Sequence, residues 1–129
     1  TLQSKLPISA LRYADVLLMA AEADNEVNNG PSSNAYAWIN AVRNRAGIGD
    51  LSGLDYSAFK EAVFYERRHE LYGEGYSWMD LKRFNKFSLF NNVSRTLVTS
   101  IDDHLNYFPI YEVELITNPN MTQNPGWPE

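Results

Sequence analysis

The stretch Tyr56-Ser57-Ala58-Phe59-Lys60-Glu61-Ala62-Val63-Phe64-Tyr65-Glu66-Arg67-Arg68-His69-Glu70-Leu71-Tyr72 decides the fold class. Phe59 and Val63 stand four residues apart, the spacing that stacks side chains one above another on a helix. The next positions on that stripe are Glu66 and Glu70, so the face expected to meet the core carries two carboxylates. An unpaired charge in that position costs several kcal/mol or neutralises itself. Asp55 supplies an N-cap, and Gly73 and Gly75 supply a stop. The pattern therefore predicts a helix over 56–72 and a short second one over 78–84.

Upstream, 11–27 also reads as helix. Arg12, Asp15, Glu22 and Glu26 share one narrow arc, while Leu11, Ala14, Leu17, Leu18, Ala20, Ala21 and Ala23 fill much of the rest. That predicts a mostly enclosed helix with one polar stripe. Asn28-Asn29-Gly30-Pro31 ends it, because Gly tolerates a left-handed cap and Pro cannot continue the helix. Ser32 or Ser33 caps a further helix over 34–45, with Ala35, Ile39, Val42 and Ala46 at helical spacing and Gly47 as the stop. Two helices joined by so short a turn pack antiparallel. The pair has the size of one tetratricopeptide-like unit, about 34 residues, and one such unit buries too little without neighbours.

Beyond residue 84 the periodicity fades. Residues 85–107 alternate weakly, with 96–101 as a candidate short strand. From Phe108 onward, Pro109, Pro119, Pro125, Gly126 and Pro128 predict irregular coil laid on the helices, with one helical turn near 112–115. Tyr111, Leu115, Met121 and Trp127 are its expected anchors. The expected architecture is all-α, mostly helical: tetratricopeptide-like helix pairs plus a long irregular C-terminal tail, with 1–129 forming a single unit.

Composition narrows the function. A chain of 129 residues that is 44% hydrophobic can bury one ordinary core. Eleven basic against sixteen acidic residues give a net charge of −5, which argues against a nucleic-acid partner and offers no polybasic patch for a membrane surface. The absence of cysteine excludes disulfides and thiolate metal sites. No apolar run approaches the ~20 residues needed to span a bilayer. Residues 1–9 do not read as a signal peptide, so an exported protein would carry its targeting segment elsewhere.

Two readings compete for Glu66 and Glu70. Carboxylates at i and i+4 rise from Cβ atoms about 5–6 Å apart, and a retaining glycosidase holds its carboxyl groups about 5–5.5 Å apart. Catalytic carboxylates, however, usually face a cleft from different elements, whereas these share a stripe with Phe59 and Val63. Arg67, Arg68 and Arg83 lie nearby, and Arg12, Arg43 and Arg45 can arrive from the first helix pair. Guanidinium forks satisfy carboxylate lone pairs bidentately, so a structural ion-pair network is the favoured reading, with no catalytic residue. Asp102-Asp103-His104 lacks a second ligand cluster and reads as solvated loop, so no metal site is expected. His69 reads as a helix-surface or hydrogen-bonded residue. No phosphate-cradling Gly loop and no Gly-x-Ser-x-Gly elbow occurs, and no cofactor is expected. Trp38, Trp78 and Trp127 are the candidate sugar-stacking side chains, although packing explains each equally well.

Four ordered motifs resemble the C-terminal region of the SusD/RagB family. They are Leu11-Arg12-Tyr13-Ala14-Asp15-Val16-Leu17-Leu18-Met19-Ala20-Ala21-Glu22-Ala23; Ile39-Asn40-Ala41-Val42-Arg43-Asn44-Arg45-Ala46-Gly47; the run from Glu66 to Arg83; and Phe108-Pro109-Ile110 followed by Asn118 to Trp127. Ser77 departs from the frequent Arg of the family, and Tyr111 from a frequent second Pro. The resemblance implies a non-catalytic, lipid-anchored protein of the bacterial outer-membrane surface. Such a protein binds nutrient oligosaccharides, or in some relatives peptides, and delivers them to a SusC-like TonB-dependent transporter. It further implies that this chain is the C-terminal region of a longer protein whose lipidated Cys and other helix pairs lie elsewhere. Arg12, Glu22, Arg43, Glu66, Arg67, Glu70, Glu74, Trp78, Asp80 and Arg83 carry over as structural residues, all but Trp78 as the ion-pair network, and no ligand-binding residue carries over. The alternative function is a generic tetratricopeptide-type scaffold that binds a protein or peptide.

Overall fold

The computed structural model describes residues 11–90 and 107–128. It divides into two compact units, Thr1–Ser77 and Trp78–Glu129. The candidate strand over 96–101 and the Asp102-Asp103-His104 cluster lie outside the described residues. Every regular element described is helical, as the sequence pattern predicts.

The first unit holds α1 (Tyr13–Asn28), α2 (Ser33–Arg45) and α3 (Tyr56–Glu70). α1 ends where Asn29 turns left-handed at φ 50° and Gly30 follows at φ 157°. The reversal is fastened by Asp24, whose two carboxylate oxygens accept from the Ser32 backbone N–H at 3.0 Å and from its hydroxyl at 2.9 Å. Ser32 in turn caps α2 by accepting from Asn34 N and Ala35 N. Asp55 caps α3 through Ala58 N at 2.8 Å. These caps satisfy backbone donors that a helix start leaves orphaned.

α1 packs on both α2 and α3. Their shared core is Leu18 and Ala21 of α1, Ala35, Ile39 and Val42 of α2, and Phe59 and Val63 of α3. Tyr36 meets Phe59 edge-on, with ring centroids 5.1 Å apart. Burial on α1 follows Ala14, Leu18, Ala21 and Asn25, a single helical face. The opposite face leaves Tyr13, Val16, Met19 and Val27 exposed. α1 is therefore less enclosed than its composition predicts; two neighbouring helices cover one side and leave the other apolar and wet.

Three polar side chains of α2, one above another along the helix, stitch down the loop that leads to α3. The Tyr36 hydroxyl accepts from Leu54 N at 2.7 Å and donates to Leu54 O at 3.1 Å. Asn40 makes the same reciprocal pair with Leu51, at 2.9 Å and 3.0 Å. Arg43 Nε donates to Gly49 O at 2.8 Å. A loop with no regular hydrogen bonding of its own is thus held by side chains.

The second unit carries α4 (Ser77–Arg83), a 3-10 turn (Phe87–Phe90) and α5 (Glu112–Thr117). α4 closes with Asn85 in the left-handed region at φ 52° and Lys86 N donating to Leu81 O at 2.8 Å. The 3-10 turn has no counterpart in the sequence reading, because four residues are too few to show a period. In the tail, polar side chains do the anchoring. Gln123 donates to Ile110 O and accepts from Ile110 N, at 3.0 Å and 2.8 Å. Asn124 Nδ2 donates to Phe108 O, and Trp127 Nε1 to Tyr107 O. Of the expected apolar anchors, Tyr111 is 72% exposed and Met121 is exposed too, so neither pins the coil.

Candidate functional site

The charged cluster of the first unit is built on α3. The helix that buries Phe59 and Val63 carries the same face on to Glu66, whose side chain is 6% exposed, and to Glu70, at 8%. Glu66 accepts from Arg43 Nη1 of α2 at 2.8 Å. Glu70 holds two arginines, one oxygen on Arg12 Nη1 at 2.7 Å and the other on Arg45 Nη2. Arg12 stands just ahead of α1 and Arg45 ends α2, so this one carboxylate joins three helices.

Arg12 is the most heavily bonded of these groups. Its Nε and Nη2 clasp Glu74 at 2.9 Å and 2.8 Å, and Nη2 also donates to the Glu70 main-chain oxygen at 2.7 Å. That oxygen belongs to the last turn of α3, where carbonyls lack helical partners and the helix end is negative. A carboxylate at the same end is unfavourable alone, and the Arg12 cation reverses the sign. Hydrogen bonds first to Glu74 and then to Glu70 hold Arg12 charged more firmly than an isolated guanidinium.

Beside this cluster lies a pair that the sequence reading left unassigned. Arg67 Nη1 donates to Asp15 Oδ1 at 2.6 Å, with side chains 4% and 3% exposed. Asp15 sits on the supposed polar stripe of α1, yet it is as sealed as the core. The missing signal is sequence distance, since 52 residues separate it from Arg67. Tyr76 lies over the Arg67 guanidinium, 6.0 Å from ring centroid to carbon. Arg45, which the sequence reading named only as a possible arrival, is a full member of the cluster.

The expected network has three further members, Glu22, Asp80 and Arg83. Glu22 is half-buried on α1. In the second unit, Arg83 Nη2 donates to the buried Asp80 at 2.9 Å. Arg68 lies over the Phe64 ring, and His69 is exposed on α3. Each tryptophan is engaged within its own unit. Trp38 packs half-buried against the core of the first. Trp78 tilts against Phe87, with centroids 4.9 Å apart, and Trp127 is tied to Tyr107 O. A cleft of about 470 Å³ opens between α1 and α2, lined by Arg12, Tyr13, Ala14, Leu17, Ala41, Val42 and Arg45.

Chemically the cluster is saturated. A glycosidase acid must keep its proton near neutral pH, which requires a raised carboxyl pKa. Burial does push the Glu70 carboxyl up, but the hydrogen bonds from Arg12 and Arg45 outweigh it and leave the group below its ordinary 4.5. The shift has the wrong sign for proton donation.

Comparison with known proteins agrees with the motifs. Residues 2–127 match the SusD family. The SusD-like protein P2 of Formosa agariphila is 35% identical over 128 residues, covering 91% of this chain and 25% of its own length. The solved structure of a SusD homologue from Bacteroides thetaiotaomicron VPI-5482 superposes with a TM-score of 0.70 at 36% identity, covering 92% of this chain and 26% of that one. Surface glycan-binding protein A from Bacteroides uniformis superposes with a TM-score of 0.58 at 28% identity, covering 91% and 27%. The chain thus spans about a quarter of the length of these proteins. With four ordered motifs, the helical architecture and the match across nearly the whole sequence in agreement, this chain belongs to the SusD family.

Proposed function

We propose that the protein binds glycans at the cell surface without chemically altering them. The observation that carries this reading is the likeness to a surface glycan-binding protein over 91% of the chain. The pairing of Glu66 and Glu70 with arginines supports the non-catalytic part, because neither carboxylate is left to attack or protonate a sugar. In this reading the ion-pair cluster is scaffold, and the chain is the C-terminal region of a longer protein. That protein is lipid-anchored in the outer membrane and passes oligosaccharides to a SusC-like TonB-dependent transporter.

Titration calorimetry with a panel of neutral and acidic oligosaccharides tests the binding. Saturable heat with recovery of intact sugar supports the reading. Shortened products, or silence toward every sugar beside saturable heat with peptides, contradict it. The second of those outcomes would favour a peptide-binding scaffold, a reading supported by the apolar cleft between α1 and α2 and the exposed Val16, Met19 and Val27. Co-purification of a tagged full-length protein with a TonB-dependent transporter tests the hand-over.

A further inference from the structure

The turn between α1 and α2 carries the single Asn-Gly step of the sequence, Asn29-Gly30. We propose that Asn29 is a deamidation site whose rate is governed by the helix cap. The reaction needs only water and base. The Gly30 amide nitrogen loses its proton and attacks Asn29 Cγ, so that an N–C bond forms and a five-membered imide closes. The Cγ–Nδ2 bond breaks and ammonia leaves. Water then opens either ring carbonyl and gives aspartate or isoaspartate at position 29. Glycine is the permissive neighbour, since a Cβ would crowd the attacking nitrogen. At Gly30 nothing lies within 4 Å of the place a Cβ would occupy, so the surroundings do not block the approach. Asn29 itself is exposed.

The fold opposes the reaction in two ways. The backbone N–H groups of Asn29 and Gly30 both donate to Asn25 O, the latter at 3.1 Å, so the attacking nitrogen has its proton engaged. Ring closure also requires the Asn29 Cα–C bond to swing the Gly30 nitrogen in line with Cβ. The left-handed cap holds Asn29 at φ 50° and ψ 39°, away from that arrangement, and turning it breaks the bond from Gly30 N to Asn25 O. Asp24 fastens the far side of the same turn through Ser32. Fraying of this cap is therefore the gate. Once modified, the turn gains a negative charge at the negative end of α1, where the last turn holds no basic residue, and isoaspartate lengthens the backbone by one carbon.

Peptide mapping by mass spectrometry of the whole chain, aged at mildly alkaline pH with and without urea, tests this. Loss of the Gly30 hydrogen bond corresponds to a rate several-fold higher in urea than in buffer. Asn29→Gly, which keeps the left-handed cap, should remove the signal in both conditions. Asp24→Ala, checked as folded by circular dichroism, should speed the reaction in buffer several-fold. Absence of conversion at residue 29 even in urea, equal rates in buffer and urea, or an Asp24→Ala rate no faster than the unaltered chain would each overturn the proposal.

Discussion

Arg67 reaches from α3 to Asp15 of α1, Nη1 to Oδ1 at 2.6 Å, and water reaches almost none of either side chain. The two helices also share the apolar contacts of Leu18, Phe59 and Val63, so this pair sits at the edge of a packed core instead of on a wet surface. Its worth is conditional. Together the charges offset their desolvation; apart, each is a buried ion.

Removing one partner should therefore be severe. Asp15→Asn is expected to destabilise by about 3–5 kcal/mol, whereas the double change Asp15→Leu with Arg67→Met should recover most of that loss. Urea unfolding of Asp15→Leu, Arg67→Met and the double variant measures the coupling. Strictly additive losses would show that the pair does not act as a unit.

The α2–α3 loop offers a milder test. Tyr36→Phe deletes a hydroxyl that serves both backbone groups of Leu54, and Asn40→Ala deletes the equivalent pair at Leu51. Each should cost about 1–3 kcal/mol, because backbone groups are left without partners while the core is untouched. Hydrogen exchange at residues 49–54 should accelerate in both variants. Unchanged exchange would mean that the loop is held by something else.

Acid should loosen the cluster through Glu70. Its folded-state value lies below the unfolded 4.5, so the stabilisation it gives is complete above pH 4.5 and is lost as pH falls through the lower folded value. Thermal melts taken from neutral pH downward should show a decline that begins below this point. Glu70→Gln, having no proton to take up, should lack its share of that decline. Identical acid limbs in both proteins would remove Glu70 from the explanation.

In the second unit, Gln123→Ala takes away both bonds to Ile110. Amide exchange of residues 107–111 should rise, and that of α1 to α3 should not. A change spread evenly over the chain would show that the tail and the helices unfold together.

The helices were legible because local rules agree with tertiary ones. Asp55 and Ser32 cap where a capping residue is expected, and Asn29-Gly30 reverses where a left-handed residue is needed. The inward turn of Glu66 and Glu70 was legible too, since period alone assigns a face. Partner choice was not. Arg67 with Asp15, or Arg45 with Glu70, depends on how helices far apart in sequence come together, and no short-range pattern encodes that. The tail misled for a related reason. Its large apolar side chains suggested anchors, yet a coil must first satisfy its backbone, and Gln123, Asn124 and the Trp127 indole N–H do so.

The most direct measurement sets thermal melting of Glu66→Gln and Glu70→Gln beside product analysis of the unaltered protein incubated with oligosaccharides. If these carboxylates are there to hold helices, each variant loses charge-assisted hydrogen bonds of about 1.5–3 kcal/mol and melts several degrees lower. The unaltered protein then returns every sugar intact. Variants that melt like the parent, together with sugar cleavage by the parent that Glu70→Gln abolishes, would mean that the acids face a substrate after all.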